Sequence, residues 1–477
     1  MKSNRGNVMQ NHHCDVAIVG AGTAGLAAER SARAQGAKTL LIDELFAGTL
    51  CATFGCMPSK LLIAAAAAAH AARRAPVFGV GVGGVAVDGR AVMRRLQAER
   101  DKFVTATKAS ISNIPEGICL KAKARFTGPG KLVLDNGCSV EAHAIVIATG
   151  ASPFVPEPFE GLGDLALTNR TIFEMDTLPR SLAVIGGGAI GLEIAQAMAR
   201  LGVQTVLFDQ GDTLGGAKDD AIQRALVEVM GEEITLHLGV DVTAMREGDK
   251  ARIMWSGNSA GALMFDKVLV ATGRPPNLEG LDLGKAGLEL DDHGVPHFDP
   301  STLQCGDAPI FIAGDGNGDK PFLHEASNEG AIAGRNAASY PDATKAVRNP
   351  MFSITFTDPP LAMVGAAPDK ASLVGCADYT DQGRAKVEAR AKGLGKLYAT
   401  RPDGRLTGAE LFAPGADHMA HLLVWAIKRG ETASSLLELP FYHPTLEEGL
   451  KPALREICDS CGVPVPTDHD SGNPAGA

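Results

Sequence analysis

The sequence predicts an α/β protein, and the strongest evidence is a pattern that occurs twice. Each copy has a short apolar stretch, a glycine-rich turn, a helix-forming stretch and a second apolar stretch that ends in aspartate. The turns are Gly20-Ala21-Gly22-Thr23-Ala24-Gly25 and Gly186-Gly187-Gly188-Ala189-Ile190-Gly191, and the aspartates are Asp43 and Asp209. The interval from last glycine to aspartate is the same in both copies. This strand–helix–strand pattern predicts two Rossmann-like nucleotide-binding domains.

Length and composition restrict the class of protein. A chain of 477 residues is expected to form two to four domains, and 45% hydrophobic with 21% charged residues is typical of a globular protein. A net charge of -10 without a basic run argues against nucleic acid as a partner. The sequence shows neither a signal peptide nor an obvious bilayer-spanning stretch, so we expect a cytoplasmic protein that does not enter a membrane.

The first copy of the pattern has the features of a dinucleotide site. A strand at 15–19 leads into the turn, a helix follows to about residue 35, and a strand at 39–42 ends at Asp43. Glycines permit pyrophosphate to approach the helix N-terminus, where unpaired N–H groups favour anions. The Asp43 carboxylate is placed to accept hydrogen bonds from ribose hydroxyls.

Two cysteines, Cys51 and Cys56, follow Asp43 closely. Pro58 and an alanine- and leucine-rich stretch at 61–72 predict a helix that begins at or near them, where a thiolate is stabilised. Spacing alone would favour two buried structural cysteines. The adjacent nucleotide unit instead favours a redox-active pair that passes electrons between a flavin and a disulfide substrate.

The second copy follows a proline-containing linker that begins near Pro153. A strand at 182–185, a helix to about residue 201 and a strand at 204–208 surround its turn. Asp209, with no arginine close after it, favours NAD over NADP because it would repel a 2′-phosphate. Lys218 is a weak signal in the opposite direction.

The last quarter of the chain, after Pro350, changes its pattern. Strands at 351–362, 397–400 and 409–412 and an amphipathic helix at 418–429 indicate an α+β domain. A turn that contains His443 and Glu448 leads into a last helix. The end of the chain, rich in Pro, Asp, Gly and Ser, predicts a disordered tail.

These motifs together resemble the pyridine nucleotide-disulphide oxidoreductases, and among them the dihydrolipoyl dehydrogenases, over about residues 14–458. The motifs stand in the order of that family: a glycine motif, Cys-x4-Cys followed by Pro-Ser-Lys, a second glycine motif, Ala-Thr-Gly-Arg at 271–274, Gly-Asp at 314–315, and His-Pro-Thr at 443–445. A glutamate five residues after the histidine completes the set.

The resemblance implies a domain for each nucleotide and a C-terminal α+β dimerisation domain. The expected boundaries are a flexible leader at 1–14, an FAD-binding domain at 15–152 and 272–349, an NAD-binding domain at 153–271, a dimerisation domain at 350–462 and a disordered tail at 463–477. It also implies FAD and NAD as cofactors and no metal. The implied cofactor-binding residues are Gly20, Gly22, Thr23, Gly25, Asp43, Lys60, Ala124, Thr149, Gly150, Gly186, Gly188, Ile190, Gly191, Asp209, Gly273, Asp315, Phe322, Leu323 and His324.

The resemblance also implies catalytic roles. Cys51 would meet the substrate and Cys56 the flavin, and Lys60 with Glu193 would form an ion pair near the flavin N5. His443, oriented by Glu448, would be the base and would reach the disulfide of the other subunit of a homodimer. The implied reaction is oxidation of dihydrolipoamide, on a lipoyl carrier protein or as a small dithiol, with reduction of NAD⁺.

Several features leave alternatives open. Thr49, Leu50, Thr53 and Phe441 depart from the usual residues of the family near the flavin or the substrate. A mercuric or glutathione reductase-like enzyme, or a structural flavoprotein subunit that binds a carrier, remains an alternative. The pair Cys458 and Cys461 could be a second dithiol, half a metal site or incidental, and we favour the last reading.

Overall fold

The computed structural model describes residues 11–466, which form two compact units. Strands, in chain order, are β1 (Asn11–Val19), β2 (Thr39–Asp43), β3 (Cys119–Lys121), β4 (Ala124–Gly128), β5 (Lys131–Leu134), β6 (Ser139–Ile147), β7 (Ala166–Leu167), β8 (Ser181–Ile185), β9 (Gln204–Asp209), β10 (Thr235–Leu238), β11 (Val240–Glu247), β12 (Lys250–Gly257), β13 (Gly261–Phe265), β14 (Lys267–Val270), β15 (Ile310–Ile312), β16 (Phe352–Thr355), β17 (Leu361–Gly365), β18 (Leu373–Asp378), β19 (Leu394–Thr400) and β20 (Arg405–Phe412).

Helices, in chain order, are α1 (Thr23–Ala34), α2 (Leu50–Thr53), α3 (Cys56–Arg74), α4 (Gly89–Ser112), α5 (Glu157–Glu160), α6 (Ala189–Arg200), α7 (Asp220–Gly231), α8 (Leu323–Ala338), α9 (Gly383–Val387), α10 (Ala416–Arg429), α11 (Ala433–Leu437) and α12 (Lys451–Cys461). Short 3₁₀ helices lie at Ala75–Phe78, Gly163–Leu165, Ile172–Glu174, Leu283–Ala286, Gly314–Asn317 and Glu447–Leu450.

The first unit comprises residues 11–58, 96–154 and 273–348 and is built around one sheet. Its strand order is β3-β2-β1-β6-β5-β4, and β15 also pairs with β6. Strands β1, β2, β3, β6 and β15 pair in parallel, whereas β4 and β5 are antiparallel. Parallel strands need both faces covered, and the alternate apolar side chains of these strands are buried on both faces.

Helices α1 and α8 cover one face of this sheet at very short range. A Cβ atom at Gly330 would lie 2.1 Å from the carbonyl oxygen of Ala24, and one at Gly334 would lie 2.1 Å from that of Ala28. The small residues of both helices therefore set how closely the backbones approach. This close packing fixes the position of α1, which begins directly after the first glycine turn.

The second unit comprises residues 59–95, 155–272 and 349–466. Its parallel sheet has the order β10-β9-β8-β14-β7, and an antiparallel sheet β11-β12-β13 follows β10 in the chain. An antiparallel sheet of order β16-β17-β20-β19-β18 forms the C-terminal part, with α10 and α12 packed against it. The α/β prediction, with Rossmann-like sheets and a C-terminal α+β region, is confirmed.

The structure differs from the predicted segments in three ways, the first being that the predicted NAD-binding and dimerisation domains fall within one compact unit. Strand β1 begins at Asn11, within the predicted leader, because its first residues pair with β6 from Ser139 onward. Residues 59–95 group with the second unit rather than with the rest of the predicted FAD domain. The remaining parts of the predicted leader and tail, 1–10 and 467–477, lie outside the described residues.

One helical stretch qualifies as a possible membrane span, which the sequence reading did not expect. Leu50–Phe78 is long and apolar enough by length and composition, and only 28% of its most apolar window is buried. The apolar character comes from consecutive alanines, which also form core helices of globular proteins. A single such helix is weak evidence for a membrane span.

Candidate active site

The first glycine turn is sterically restricted at two positions and open at a third. A Cβ atom at Gly20, whose φ is +105°, would lie 2.3 Å from the carbonyl oxygen of Ala148. One at Gly25 would lie 1.8 Å from the carbonyl oxygen of Gly20. A Cβ atom at Gly22, the residue that precedes α1, would meet no protein atom within 4 Å. The N-terminus of α1 thus faces space that an anion can enter.

Asp43 is held beside this turn by backbone amides. Its Oδ2 accepts a hydrogen bond from the Ala21 amide at 2.9 Å, and its Oδ1 accepts from Leu45 at 2.9 Å and Phe46 at 2.7 Å. These contacts fix the carboxylate at the end of β2, which is the position expected for an acceptor of ribose hydroxyls. Thr23 is the first residue of α1, in the same turn.

The residues after β6 and β15 supply further polar groups in the first unit. The Thr149 hydroxyl is buried and has no hydrogen-bond partner among the described residues, which is unusual for a native protein. A Cβ atom at Gly316 would lie 3.6 Å from this hydroxyl, so Thr149 lies beside the Gly314–Asn317 turn. A buried hydroxyl without a hydrogen-bond partner, beside the Gly314–Asn317 turn, fits a polar cofactor in this unit.

Asp315 lies in the same 3₁₀ turn and forms an ion pair that the sequence motifs did not predict. Its Oδ2 accepts a hydrogen bond from the Arg274 guanidinium at 2.6 Å. Glu329 supports the turn from α8, because its Oε2 accepts from the Gly314 amide at 2.7 Å. The only sequence signal for Arg274 is its place in the Ala-Thr-Gly-Arg motif.

The other predicted cofactor residues of the first unit lie at the ends of elements. Ala124 begins β4 and is buried, and Gly150 and Gly273 have positive φ of +68° and +144°. Phe322 precedes α8 and its ring stacks on His324, with centroids 5.9 Å apart, while Leu323 is exposed.

The two cysteines occupy consecutive helices, the short α2 and the long α3. Cys51 lies in α2 and is half-buried, whereas Cys56 begins α3 and is exposed. Gly55 permits the tight connection, because a Cβ atom there would lie 3.2 Å from the Cα of Cys51. A thiolate at a helix N-terminus is stabilised by the helix dipole.

Two of the unusual residues around the cysteines have structural roles. Thr49 caps α2, and its hydroxyl accepts from the Ala52 amide at 3.4 Å. The Thr53 hydroxyl donates to the Thr49 carbonyl at 3.0 Å. The two threonines therefore close the turn that carries Cys51.

The second glycine turn repeats the geometry of the first. A Cβ atom at Gly191 would lie 1.9 Å from the carbonyl oxygen of Gly186, and one at Gly188 would meet nothing within 4 Å. The Asp209 carboxylate accepts from the backbone amides of Gly187 and, at 2.7 Å, of Gly211. Ile190 lies in the first turn of α6. This unit is thus also open to an anion at a helix N-terminus.

Lys60 and Glu193 form a close ion pair in the second unit. The Lys60 ammonium lies 2.7 and 2.9 Å from the two carboxylate oxygens of Glu193. The Phe356 amide donates to the same carboxylate at 2.9 Å, and the Phe356 ring centroid lies 4.4 Å from the Lys60 ammonium. Phe356 is a further participant that the sequence reading missed, and no local pattern marks it.

His443 and Glu448 lie together, as their spacing predicts. The Nδ1 atom of His443 lies 3.0 and 3.2 Å from the two oxygens of Glu448, which also accepts from the Thr445 amide at 3.0 Å. Glu448 is buried, whereas the His443 ring is 47% exposed. A carboxylate at Nδ1 leaves Nε2 available to take a proton.

The second cysteine pair lies near the end of α12. Burial and the neighbouring Cys461 and Asp459 raise the pKa of the Cys458 thiol to about 11. The Cys461 thiol donates to the Ile457 carbonyl at 3.1 Å. Within residues 11–466, no group of three or more His, Cys, Asp or Glu side chains is arranged to hold a metal ion.

Comparison with known families gives two matches that together span most of the chain. Residues 14–330 match the pyridine nucleotide-disulphide oxidoreductase family, and residues 351–454 match the dimerisation domain of the same family.

The individual relatives include enzymes with different names. The dihydrolipoyl dehydrogenase of Bacillus subtilis (strain 168) is 30% identical over 454 residues, which cover 92% of this chain and 97% of the relative. The mercuric reductase of Shigella flexneri is 32% identical over 454 residues, covering 91% of this chain and 79% of the relative.

Solved structures show the same fold at lower identity. The HOCl-induced flavoprotein disulfide reductase RclA from Escherichia coli superposes with a TM-score of 0.78 at 21% identity, covering 92% of this chain and 99% of that one. LpdA from Mycobacterium tuberculosis has a TM-score of 0.78 at 23% identity, covering 94% and 99%.

Proposed function

This chain belongs to the pyridine nucleotide-disulphide oxidoreductase family, and we propose that it oxidises dihydrolipoamide, carried on a lipoyl protein, with reduction of NAD⁺. The observation that carries the proposal is the His443–Glu448 pair, with its oriented and accessible imidazole. A dithiol must lose a proton before it can attack a disulfide, and an imidazole near neutrality suits that task. Relatives named dihydrolipoyl dehydrogenase support the same substrate.

The cofactors of this family are FAD and NAD(H). The first glycine turn, Asp43, Thr149 and Asp315 would hold FAD, and the second glycine turn with Asp209 would hold NAD. The flavin, when bound, supplies the chemistry that passes two electrons from a thiolate to NAD⁺ as a hydride. The protein supplies binding, orientation and proton transfer.

The proposed thiol chemistry assigns one task to each side chain. In the oxidised enzyme Cys51 and Cys56 share a disulfide. His443 takes the proton of a substrate thiol, the resulting thiolate bonds to the Cys51 sulfur, and Cys56 leaves as a thiolate. The second substrate thiolate then displaces Cys51 and closes the lipoamide disulfide. The substrate loses two protons and two electrons, and the electrons leave the protein through Cys56.

Lys60 and Glu193 are proposed to lie beside the flavin ring. A buried carboxylate that is paired with an ammonium keeps the positive charge in a defined place, and a fixed charge near a flavin alters its electronics.

A mercuric reductase-like activity is the second candidate. Mercuric reductases at 32% identity and the Cys458–Cys461 pair favour it. The properties of the pair weaken it, because Cys458 is buried and its raised pKa keeps the thiol protonated at neutral pH. Dihydrolipoamide therefore remains the preferred substrate.

The deciding experiment compares substrates on the purified FAD-loaded protein. We expect NADH to form with dihydrolipoamide and NAD⁺, and Cys51→Ser to abolish it. No NADH formation despite bound FAD would exclude the proposal, and Hg²⁺-dependent NAD(P)H oxidation would favour the second candidate. Unchanged turnover in Cys51→Ser would refute the disulfide mechanism, whereas an inactive protein that still binds a lipoyl carrier would indicate a structural flavoprotein subunit.

The match to the dimerisation domain supports a homodimer. We propose that His443 acts on the cysteine pair of the partner subunit, as the resemblance implies. A lipoyl carrier as partner and a cytoplasmic location belong to the same proposal.

A further inference from the structure

Helix α6 carries three polar side chains on one face, and all are buried. Glu193, Gln196 and Arg200 are spaced by three and four residues, so they lie along one side of the helix. Their exposed fractions are 6%, 3% and 8%. Buried polar groups at successive turns require hydrogen-bond partners, because an unsatisfied group costs free energy.

The partners in the segment after β16 are Phe356 and Asp358. Glu193 accepts from the Phe356 amide at 2.9 Å. Gln196 brackets Asp358: its Oε1 accepts from the Asp358 amide at 2.8 Å, and its Nε2 donates to the Asp358 carbonyl at 2.9 Å. Arg200 donates to the Asp358 carboxylate at 2.9 Å.

Arg200 is held from its other side by Glu233. Its Nε lies 2.6 Å from one oxygen of Glu233 and a terminal nitrogen 2.7 Å from the other, a bidentate arrangement. Gln196 also donates to Glu233, at 3.0 Å. Burial opposes the charge on Asp358, but the Arg200 guanidinium keeps the pKa of Asp358 below its ordinary value. Arg200 therefore stays in place between two carboxylates.

The bracketed segment leads directly to the ion pair. Phe356 contributes its amide to Glu193 and its ring to the Lys60 ammonium, at 2.9 and 4.4 Å. If residues 356–358 shifted along α6, both contacts would change together. The placement of Lys60 thus depends on how firmly this segment is attached to the helix.

We propose that Gln196 and Arg200 are positioning residues for the Lys60–Glu193 pair. They fasten residues 356–358 to α6 and so hold the Phe356 amide on Glu193 and the Phe356 ring against Lys60. The inference rests on the proposed place of this pair beside the flavin. This role requires no contact of Gln196 or Arg200 with the cofactor.

The test compares two buried amides with the same local task. Asn336, fully buried in α8, brackets Thr344 as Gln196 brackets Asp358: it accepts from the Thr344 amide at 3.2 Å and donates to its carbonyl at 3.0 Å. Gln196→Met and Asn336→Leu therefore remove equivalent contacts, and only the first lies next to the ion pair.

The measurements on FAD-loaded protein are flavin reduction by NADH in stopped-flow, the flavin midpoint potential and Tm. We expect both variants to lower Tm. Only Gln196→Met should slow the limiting rate of flavin reduction, by about tenfold or more, with little change in the apparent NADH dissociation constant, and shift the potential. Arg200→Lys keeps the positive charge but loses the bidentate guanidinium contact. It should retain more of the limiting rate of flavin reduction than Arg200→Gln.

Equal rates and potentials in Gln196→Met and Asn336→Leu would overturn the proposal. The same result in Arg200→Gln would overturn it if Gln196→Met failed to fold. Flavin reduction by NADH needs no dithiol, so this outcome is separate from that of the dihydrolipoamide assay. An effect of Gln196→Met in a protein that does not oxidise dihydrolipoamide would leave the positioning role standing and reject only the substrate.

Discussion

At the scale of single residues, His443 has the arrangement of a base whose proton position is fixed. Glu448 is buried and bound by both the imidazole and the Thr445 amide, so it holds Nδ1 as the donor. The opposite nitrogen belongs to a half-exposed ring and can meet a substrate thiol. A histidine that merely occupied a turn would not need a buried carboxylate beside its ring.

Replacing His443 should separate the two half-reactions. His443→Gln is expected to slow dihydrolipoamide oxidation by about 10²–10⁴-fold, the usual contribution of a general base. Flavin reduction by NADH should stay near the wild-type rate, because it needs no thiol deprotonation. His297→Gln, at an exposed histidine, serves as the control. A His443→Gln enzyme with wild-type turnover would contradict the assignment.

Asp209 permits a similar test of nucleotide choice. Its carboxylate accepts from two backbone amides, so it is held in one place at the proposed NAD ribose site. Asp209→Asn should weaken NAD⁺ binding about tenfold, which corresponds to a lost charge-assisted hydrogen bond of about 1.5 kcal/mol. The preference for NAD⁺ over NADP⁺ should fall, because the repulsion of a 2′-phosphate is removed. Calorimetric titration measures both.

Asp266 provides the matched control for Asp209. Its carboxylate also accepts from two backbone amides, those of Arg180 and Ser181, at 2.9 and 3.2 Å. Asp266→Asn should cost stability but leave the ratio of the two nucleotide affinities unchanged. A preference for NAD⁺ that survives in Asp209→Asn would show that other groups select the nucleotide.

At the scale of elements, the glycines of one turn have different tasks. Gly25 is required by the protein itself, since any Cβ atom there would overlap the carbonyl oxygen of Gly20. Gly22 is not, because its surroundings are empty and its φ of -77° is accessible to alanine. The protein itself therefore does not require glycine at position 22, whereas a ligand that approached the backbone there would.

Alanine variants of these two glycines should therefore behave differently. Gly25→Ala should lose both FAD and thermal stability. Gly22→Ala should leave the Tm of the apoprotein within a few degrees of wild type, because alanine at a helix N-cap costs only about 1 kcal/mol, which shifts the Tm of a large chain by a few degrees. The variant should bind FAD weakly. The absorbance of bound flavin and apoprotein melting measure the two effects. Wild-type FAD affinity in Gly22→Ala would place the pyrophosphate elsewhere.

At the scale of the whole molecule, the C-terminal sheet domain exposes an apolar groove of about 720 Å³. Its walls include Leu422 and Trp425 from α10 and Leu439 and Tyr442 from the segment before His443. Trp425 is 59% and Tyr442 83% exposed. Large exposed aromatic side chains beside one another are typical of interaction surfaces. A second copy of the chain is the occupant that the dimerisation-domain match supports.

A charge in this groove should therefore disrupt the dimer. The wild-type protein should elute with about twice the 49.5 kDa chain mass in light-scattering chromatography. Trp425→Glu should elute as a monomer and lose dihydrolipoamide oxidation, because His443 is proposed to act on the partner's cysteines. Leu263→Glu, at an exposed leucine of β13, should change neither. A monomeric wild-type enzyme with full activity would reject this arrangement.

Features that depend on local sterics could be read from the sequence. The two glycine turns, the aspartate after each second strand and the His443–Glu448 spacing are short-range, and the structure has each pair together. Each requires a particular residue within about one turn or one βαβ unit, so a linear pattern carries the information. The α/β class and the family follow from these patterns.

Contacts between distant segments could be decided only by the tertiary structure. Arg274 meets Asp315 across 41 positions, and Glu193 accepts from Phe356 across 163. The strand start at Asn11 likewise depends on pairing with β6. Periodicity tells which face of an element is buried but not which polar groups meet there, because that depends on how sheets and helices pack. Gln196 and Arg200 look like ordinary helix residues until the packed chain brings Asp358 to them.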